Sequence, residues 1–288
     1  VGAHNIDAGT MQVGDMMAFI QYAMQIIMSF LMISMLSVIL PRASVSATRI
    51  NEVLSTDISI KDIEKAKDFD SSKDGYVEFK NVSFKYPEAE DNVISDINFV
   101  AKPGQTTAFI GSTGSGKSTL INLIPRFFDA TEGQVLVNGI DVKEVNQYKL
   151  RENIGYVPQK GILFSGTVDS NIRYGAQGAS VEEIEKAATI AQAMDFIQDK
   201  PEKFETAISQ GGTNVSGGQK QRLSIARALA KNPKMFIFDD SFSALDLKTD
   251  AKLRKELKLE IKDATVLIVA QRISTIMNAD QIIVLDEG

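Results

Sequence analysis

The chain has 288 residues, with 31 basic against 37 acidic side chains, a net charge of −6 and a pI near 5.1. That balance argues against a nucleic-acid partner, whose phosphates call for a basic face. Cysteine is absent, which removes disulfides and thiolate metal sites, and the single histidine is His4.

In chain order, the first element is Met16 to Leu40, 25 residues without a charge. As a helix it would run roughly 37 Å, enough to cross a hydrocarbon layer of about 30 Å. No basic region precedes it, so it does not read as a signal peptide. Asp15 flanks one end and Arg42 and Arg49 the other, which predicts that everything after Arg42 is cytoplasmic. Gln21 and Gln25 share a helix face; they either line a pathway or hydrogen-bond to other helices. Met24, Met28, Met32 and Met35 form a second stripe, a flexible surface or, more simply, ordinary helix packing.

Residues 43–54 could continue this helix, and 55–75 are polar and charged, a linker. From Tyr76 the texture changes. YVEFKNVSFKY and INFVA alternate as strands do. TTAFIG is an apolar strand, KSTLINLIPRFF has helical periodicity, and VEEIEKAATIAQAMDFI and QKQRLSIARALA read as helices. MFIFD, TVLIVA and QIIVLD are short apolar runs, expected of strands buried on both faces of a mostly parallel sheet. The class is α/β with a helical insertion. The chain opens at Val1 and stops directly after the last apolar run, so a fragment cut at both ends is expected.

Gly111-Ser112-Thr113-Gly114-Ser115-Gly116-Lys117-Ser118-Thr119 fits the phosphate-binding pattern G-x4-G-K-[ST], with an apolar strand before it and a helix after. The glycines let backbone N–H groups turn toward an anion, and the helix N-terminus adds partial positive charge. Lys117 should reach the β- and γ-phosphates, and the Ser118 hydroxyl should ligate Mg²⁺. A P-loop needs a carboxylate on a neighbouring strand for that metal. Asp239, ending MFIFD, fits, and Asp240 follows where a second carboxylate could polarise an attacking water. Ser216-Gly217-Gly218-Gln219 opens another helix. It is either a second phosphate site, on a nucleotide held by another chain, or a plain N-cap by Ser216.

From Tyr76 to Gly288 the chain resembles the nucleotide-binding domain of an ABC transporter. Val215–Gln219 differs from that family's Leu-Ser-Gly-Gly-Gln signature only in its first residue. The other motifs stand in family order. Tyr86 resembles the aromatic that stacks on adenine, though it could be a simple strand aromatic. Gln159 resembles the glutamine that touches Mg²⁺ and water and senses the membrane domain. SALD, ending at Asp246, resembles the loop that crosses to the other subunit, and VAQRIST the switch loop. The resemblance implies a P-loop NTPase of the ABC type, with an antiparallel β subdomain and a helical signature subdomain, preceded by one long transmembrane and cytoplasmic helix. It implies ATP and Mg²⁺ as ligands and head-to-tail pairing with a second half-transporter, each ATP held between one chain's P-loop and the other's signature. Residues 1–54 would be the last part of an exporter-type membrane domain and 76–288 a nucleotide-binding domain lacking its C-terminal end. The expected location is the cell membrane, with a lipid, peptide or other small molecule as cargo.

Two residues depart from the family pattern. Asp240 stands where glutamate is usual, one methylene shorter, and Gln271 where the switch loop carries histidine. Glutamine can donate a hydrogen bond but cannot take up a proton. Gln210 also replaces a usual glutamate. Together these predict a site that binds ATP but hydrolyses it slowly, in one half of a heterodimeric exporter whose intact signature completes a different subunit's site. The rival readings are a homodimeric exporter with Asp240 as a working base, a non-hydrolysing nucleotide-gated regulator, and a soluble ABC ATPase, the last opposed by the apolar helix and the acidic pI.

Overall fold

The computed structural model describes residues 1–69, 73–272, 276–286 and 288. They form two compact units, Val1–Ser59 and Ile60–Gly288.

The first unit is helical. A short helix, α1 (Gly2–Asp7), precedes α2 (Val13–Leu54), whose 42 residues include Pro41 and of which none is buried. The Asp15 carboxylate accepts the Gln12 N–H at 3.2 Å and holds the start of α2. Inside the apolar stretch the hydroxyls of Ser29 and Ser37 donate back to the carbonyls of Gln25 and Ile33. Their polarity is thereby absorbed within the helix. An apolar helix of this length with no side chain buried is suited to lipid or to other membrane helices.

The second unit begins with a strap. Asp62 accepts hydrogen bonds from Asn146 and the Gln147 N–H, the Lys61 carbonyl accepts one from Arg126, and Lys67 forms a parallel bridge with Val145. Strands β1 (Val77–Phe84), β2 (Ile94–Ala101), β4 (Glu132–Val137) and β5 (Ile140–Asp141) make an antiparallel sheet in the order β2-β1-β4-β5. Strands β3 (Thr106–Gly111), β6 (Ile154–Val157), β9 (Met235–Asp239), β10 (Thr265–Val269) and β11 (Gln281–Leu285) make a second sheet, order β11-β3-β10-β9-β6, all parallel. Helix α3 (Lys117–Asn122) follows β3 and α4 (Gln147–Glu152) precedes β6. A helical region comprises α5 (Val168–Arg173), α6 (Val181–Ile190), α7 (Met194–Gln198) and α8 (Gly217–Ala230), with a two-rung ladder of β7 (Gly166–Thr167) and β8 (Ala207–Ile208) beside it. Helix α9 (Leu247–Glu260) connects β9 to β10.

The apolar runs are continuous because both faces of the parallel sheet are covered. Phe236, Phe238, Val266 and Ile268 join a core with Ile184 and Leu223 of the helical region and Leu253 of α9. Their neighbours Met235, Ile237, Leu267 and Val269 point the other way, into a core shared with Phe79, Phe99 and Leu120. Each such side chain removed from water contributes about 1.5–3 kcal/mol.

Two sequence expectations need correction. The run expected as one helix over residues 181–197 is two, α6 and α7, because Gln192 has a left-handed φ of 55°. The periodic stretch 117–128 is helical only to Asn122. Pro125 disfavours helical geometry in the residue before it, and Arg126 turns to a φ of 54°.

Candidate active site

Four neighbouring parallel strands end at the same edge, and each hands its next residues to one cavity. The register pairs Asp239 with Val269 and Val269 with Phe109. The loop at the end of β3, Asp239–Asp240 at the end of β9, Gln271 after β10 and Gln159 after β6 therefore meet, although up to 160 positions separate them (111 to 271). Tyr86, Thr113, Gly114, Gly116, Lys117, Ser118, Thr119, Gln159, Asp239, Asp240 and Gln271 line a cavity of about 350 Å³. Gly111 and Ser112 line an adjoining one, again with Gln271.

The phosphate loop keeps its shape through glycine and lysine. Gly111 has φ 154° and Gly116 φ 87°. A Cβ on Gly111 would stand 2.2 Å from the Leu285 carbonyl oxygen, and one on Gly116 2.6 Å from Ile94, so neither place admits a side chain. The Lys117 ammonium lies under the loop and donates to the carbonyls of Gly111 (3.0 Å) and Ser112 (2.6 Å) and to Ser115 Oγ (3.2 Å).

Beside it the Ser118 hydroxyl donates to Asp239 Oδ1 at 2.8 Å. Asp239 and Asp240 are 6 % and 7 % exposed, two adjacent carboxylates withdrawn from water. Burial above all pushes the Asp239 pKa upward, and the Asp240 charge adds to this. The Ser118 hydrogen bond and the Lys117 charge oppose it. Gln159 Nε2 donates to Asp240 Oδ2 at 3.4 Å, a long contact. This is a site short of positive charge and furnished with hard oxygen donors: the Ser118 hydroxyl, the Asp239 carboxylate and the Gln159 amide oxygen. Mg²⁺ suits such a set, since it takes one or two protein carboxylates and fills its remaining positions with water and phosphate. Among the described residues no group of three or more His, Cys, Asp or Glu side chains could hold a metal without such help.

Tyr86 stands at the rim. Its hydroxyl is 3.0 Å from Thr119 Oγ1, and its ring meets Phe84 and Phe128 edge-on at 5.0 and 5.2 Å. The ring is thus braced on one side and open to the cavity on the other.

Ser216, Gly217, Gly218 and Gln219 are not among the cavity's lining. Ser216 caps α8 in a reciprocal box: its Oγ accepts the Gln219 N–H at 3.3 Å and Gln219 Oε1 accepts the Ser216 N–H at 3.0 Å. Gly217 is exposed, and a Cβ on Gly218 would lie 3.4 Å from the Ala244 carbonyl oxygen, so this turn sits against the loop that ends at Asp246. Asp246 caps α9 through the N–H groups of Lys248 and Thr249. Gln210 lies exposed in a short turn before the signature.

Three further residues organise the site. Asp240 has a left-handed φ of 44°; its N–H donates to the Val269 carbonyl and its own carbonyl accepts Ser243 Oγ at 2.8 Å. Ser241, fully buried, donates to the Val157 carbonyl at 2.8 Å. Arg272 donates to the Ser243 carbonyl at 3.2 Å. Ser241 and Arg272 thus tie Asp240 to the segments that carry Gln159 and Gln271. No sequence pattern announces either bond. The third, Gln221, leaves a trace: it is a polar residue on the buried side of a helix.

A family profile described as ABC transporter matches residues 94–243. The chain is 48 % identical over 290 residues to an uncharacterized ABC transporter ATP-binding protein of Mycobacterium tuberculosis, covering 100 % of this chain and 50 % of that protein. It is 47 % identical over 216 residues to a putative multidrug export ATP-binding/permease protein of Staphylococcus aureus, covering 75 % of this chain and 37 % of the relative. A solved structure of a bacterial Atm1-family ABC exporter with ATP bound superposes with a TM-score of 0.81 at 34 % identity, over 97 % of this chain and 48 % of the other. The chain spans about half the length, or less, of these relatives.

Proposed function

Because the chain belongs to the ABC transporter family, whose ATPase domain binds ATP with Mg²⁺, we propose that it is the ATPase-bearing part of one half of an exporter whose own site holds ATP but turns it over slowly. The domain works on the cytoplasmic side of the membrane that its apolar helix enters. The ATP phosphates lie on the turned N–H groups of residues 111–119, with Lys117 released from the loop carbonyls to meet them. Ser118, Asp239 and Gln159 would hold Mg²⁺, which would neutralise phosphate charge, and the face of Tyr86 would receive the base. The exposed turn at Ser216–Gln219 faces a second subunit's nucleotide.

One observation carries the slow-turnover reading. The position for polarising water is Asp240, a buried carboxylate one methylene shorter than glutamate, and Gln271, which cannot take up a proton, lines the same cavity. The sole histidine, His4, belongs to the other compact unit. A misplacement of ~1 Å costs on the order of a hundredfold in rate. A different subunit, with a complete catalytic set, then carries hydrolysis, and the cargo is an amphiphile or peptide.

The test is steady-state MgATP hydrolysis by the full-length chain alone, beside an Asp240→Glu, Gln271→His double variant. The expected result is a nearly silent parent that binds ATP and a variant that turns over at least tenfold faster. Normal turnover by the parent, abolished by Lys117→Ala, makes Asp240 a working base and a self-paired exporter the better reading.

A further inference from the structure

The loop that carries Gln159 is fastened to α8, the helix that begins at the signature turn. Gln221 is 1 % exposed. Its Nε2 donates to the Pro158 carbonyl at 3.0 Å and its Oε1 accepts the Gly161 N–H at 2.9 Å. One amide therefore clasps the loop immediately before and two residues after Gln159. Six residues further along α8, Arg227 Nη1 donates to the Ile162 carbonyl at 3.0 Å, and its other nitrogens hold the Asn171 carbonyl and Oδ1. Asn171 in turn exchanges hydrogen bonds with the N–H and carbonyl of Phe164. The approach is close enough that a Cβ on Gly161 would stand 2.8 Å from the Lys220 carbonyl oxygen. Residues 158–164 are thus a segment latched onto one helix rather than a free arm.

We propose that Gln221 is a positioning residue that makes the Gln159 arm and the N-terminus of α8 move as one piece. A buried amide whose donor and acceptor are both satisfied resists sliding, because any shift leaves polar groups unpaired. When Gln159 engages the metal, the joint carries the displacement along α8 to the Ser216–Gln219 turn. When that turn meets a partner's nucleotide, Gln159 is held to its own site. Occupancy of the two sites is thereby linked through the amide of Gln221. The inference rests on the ATPase reading above, and concerns how its parts are coupled rather than whether they hydrolyse ATP.

The experiment uses the full-length transporter, assembled and reconstituted in lipid vesicles, with two perturbations from opposite sides of the joint. Gln221→Met keeps the side chain's length and removes both hydrogen bonds. Gly161→Ala drives a methyl against α8 and leaves Gln221 intact. Both are expected to lower kcat roughly tenfold, to leave the KM for MgATP within twofold, and to raise the Mg²⁺ concentration for half-maximal activity. Unchanged kcat and Mg²⁺ dependence in both variants overturns the proposal. So does a loss of Tm accompanied by a kcat that falls only in proportion to the folded fraction, the mark of a purely structural residue. A parent transporter that fails to bind MgATP refutes the ATPase reading instead, so the two failures are separable.

Discussion

Asp239, the residue proposed to hold Mg²⁺, weighs on the fold. Burial and the Asp240 charge raise its pKa above the ordinary carboxylate value. An acid whose folded pKa exceeds its unfolded one contributes its full stability below the unfolded value, and that contribution is lost as pH rises through the folded one. Ionising Asp239 is therefore a burden on the nucleotide-free protein. Asp239→Asn is expected to raise the Tm of the nucleotide-free protein at pH 7.5 by about 2 °C, with a smaller gain at pH 4, while abolishing Mg²⁺-dependent nucleotide binding. A thermal melt at both pH values checks the sign; a lower Tm at pH 7.5 contradicts it. Asp240 is a different case. Its left-handed φ of 44° suits aspartate better than most residues, so the backbone turn and the short carboxylate belong together.

Among the elements, strands were far more legible than the ends of helices. MFIFD, TVLIVA and TTAFIG were recognisable because burial on both faces leaves an unbroken apolar run. The glycine-rich loop between β3 and α3 was legible because all its parts are contiguous. The break between α6 and α7 was not. A left-handed residue there is usually glycine, and here it is Gln192, whose carbonyl accepts Arg222 Nη1 at 2.7 Å. Gln192→Gly relieves the backbone strain and keeps that carbonyl, for a gain of about 0.5 kcal/mol after glycine's entropic cost. Chemical denaturation should show a higher midpoint at unchanged slope. Arg272, Ser241 and Gln221 were hidden for another reason. Their roles depend on which distant loop comes to lie beside them, and one residue does not encode its neighbour across the sheet. Gln221 came nearest to visibility, as a polar residue on a buried helix face.

At the scale of the whole chain, a membrane-type helix and an ATPase domain stand in one polypeptide, each with its own compact structure. The strap from Ile60 to Phe69 fastens the start of the ATPase domain to the loop after α3 and to the N-terminus of α4, which leads into β6 and so to Gln159. The motifs that pointed to the family are spread from Tyr86 to Gln271, and the parallel sheet explains why that spread is no obstacle. Each crossover returns the chain to the same edge, so consecutive motifs become spatial neighbours.

The common edge of that sheet also decides how binding is felt elsewhere. Every strand ending at the cavity shares its backbone hydrogen bonds with the next, in the order β3, β10, β9, β6. A nucleotide that grips the ends of these strands suppresses the local openings through which their amides trade protons with solvent. Amide hydrogen exchange in β3, β10, β9 and β6 should therefore slow together when MgATP is added. The β2 and β5 edges of the antiparallel sheet, which supply no cavity residue, should keep their rates. The ligand would thus be recorded as a contiguous band of protection across the centre of the domain.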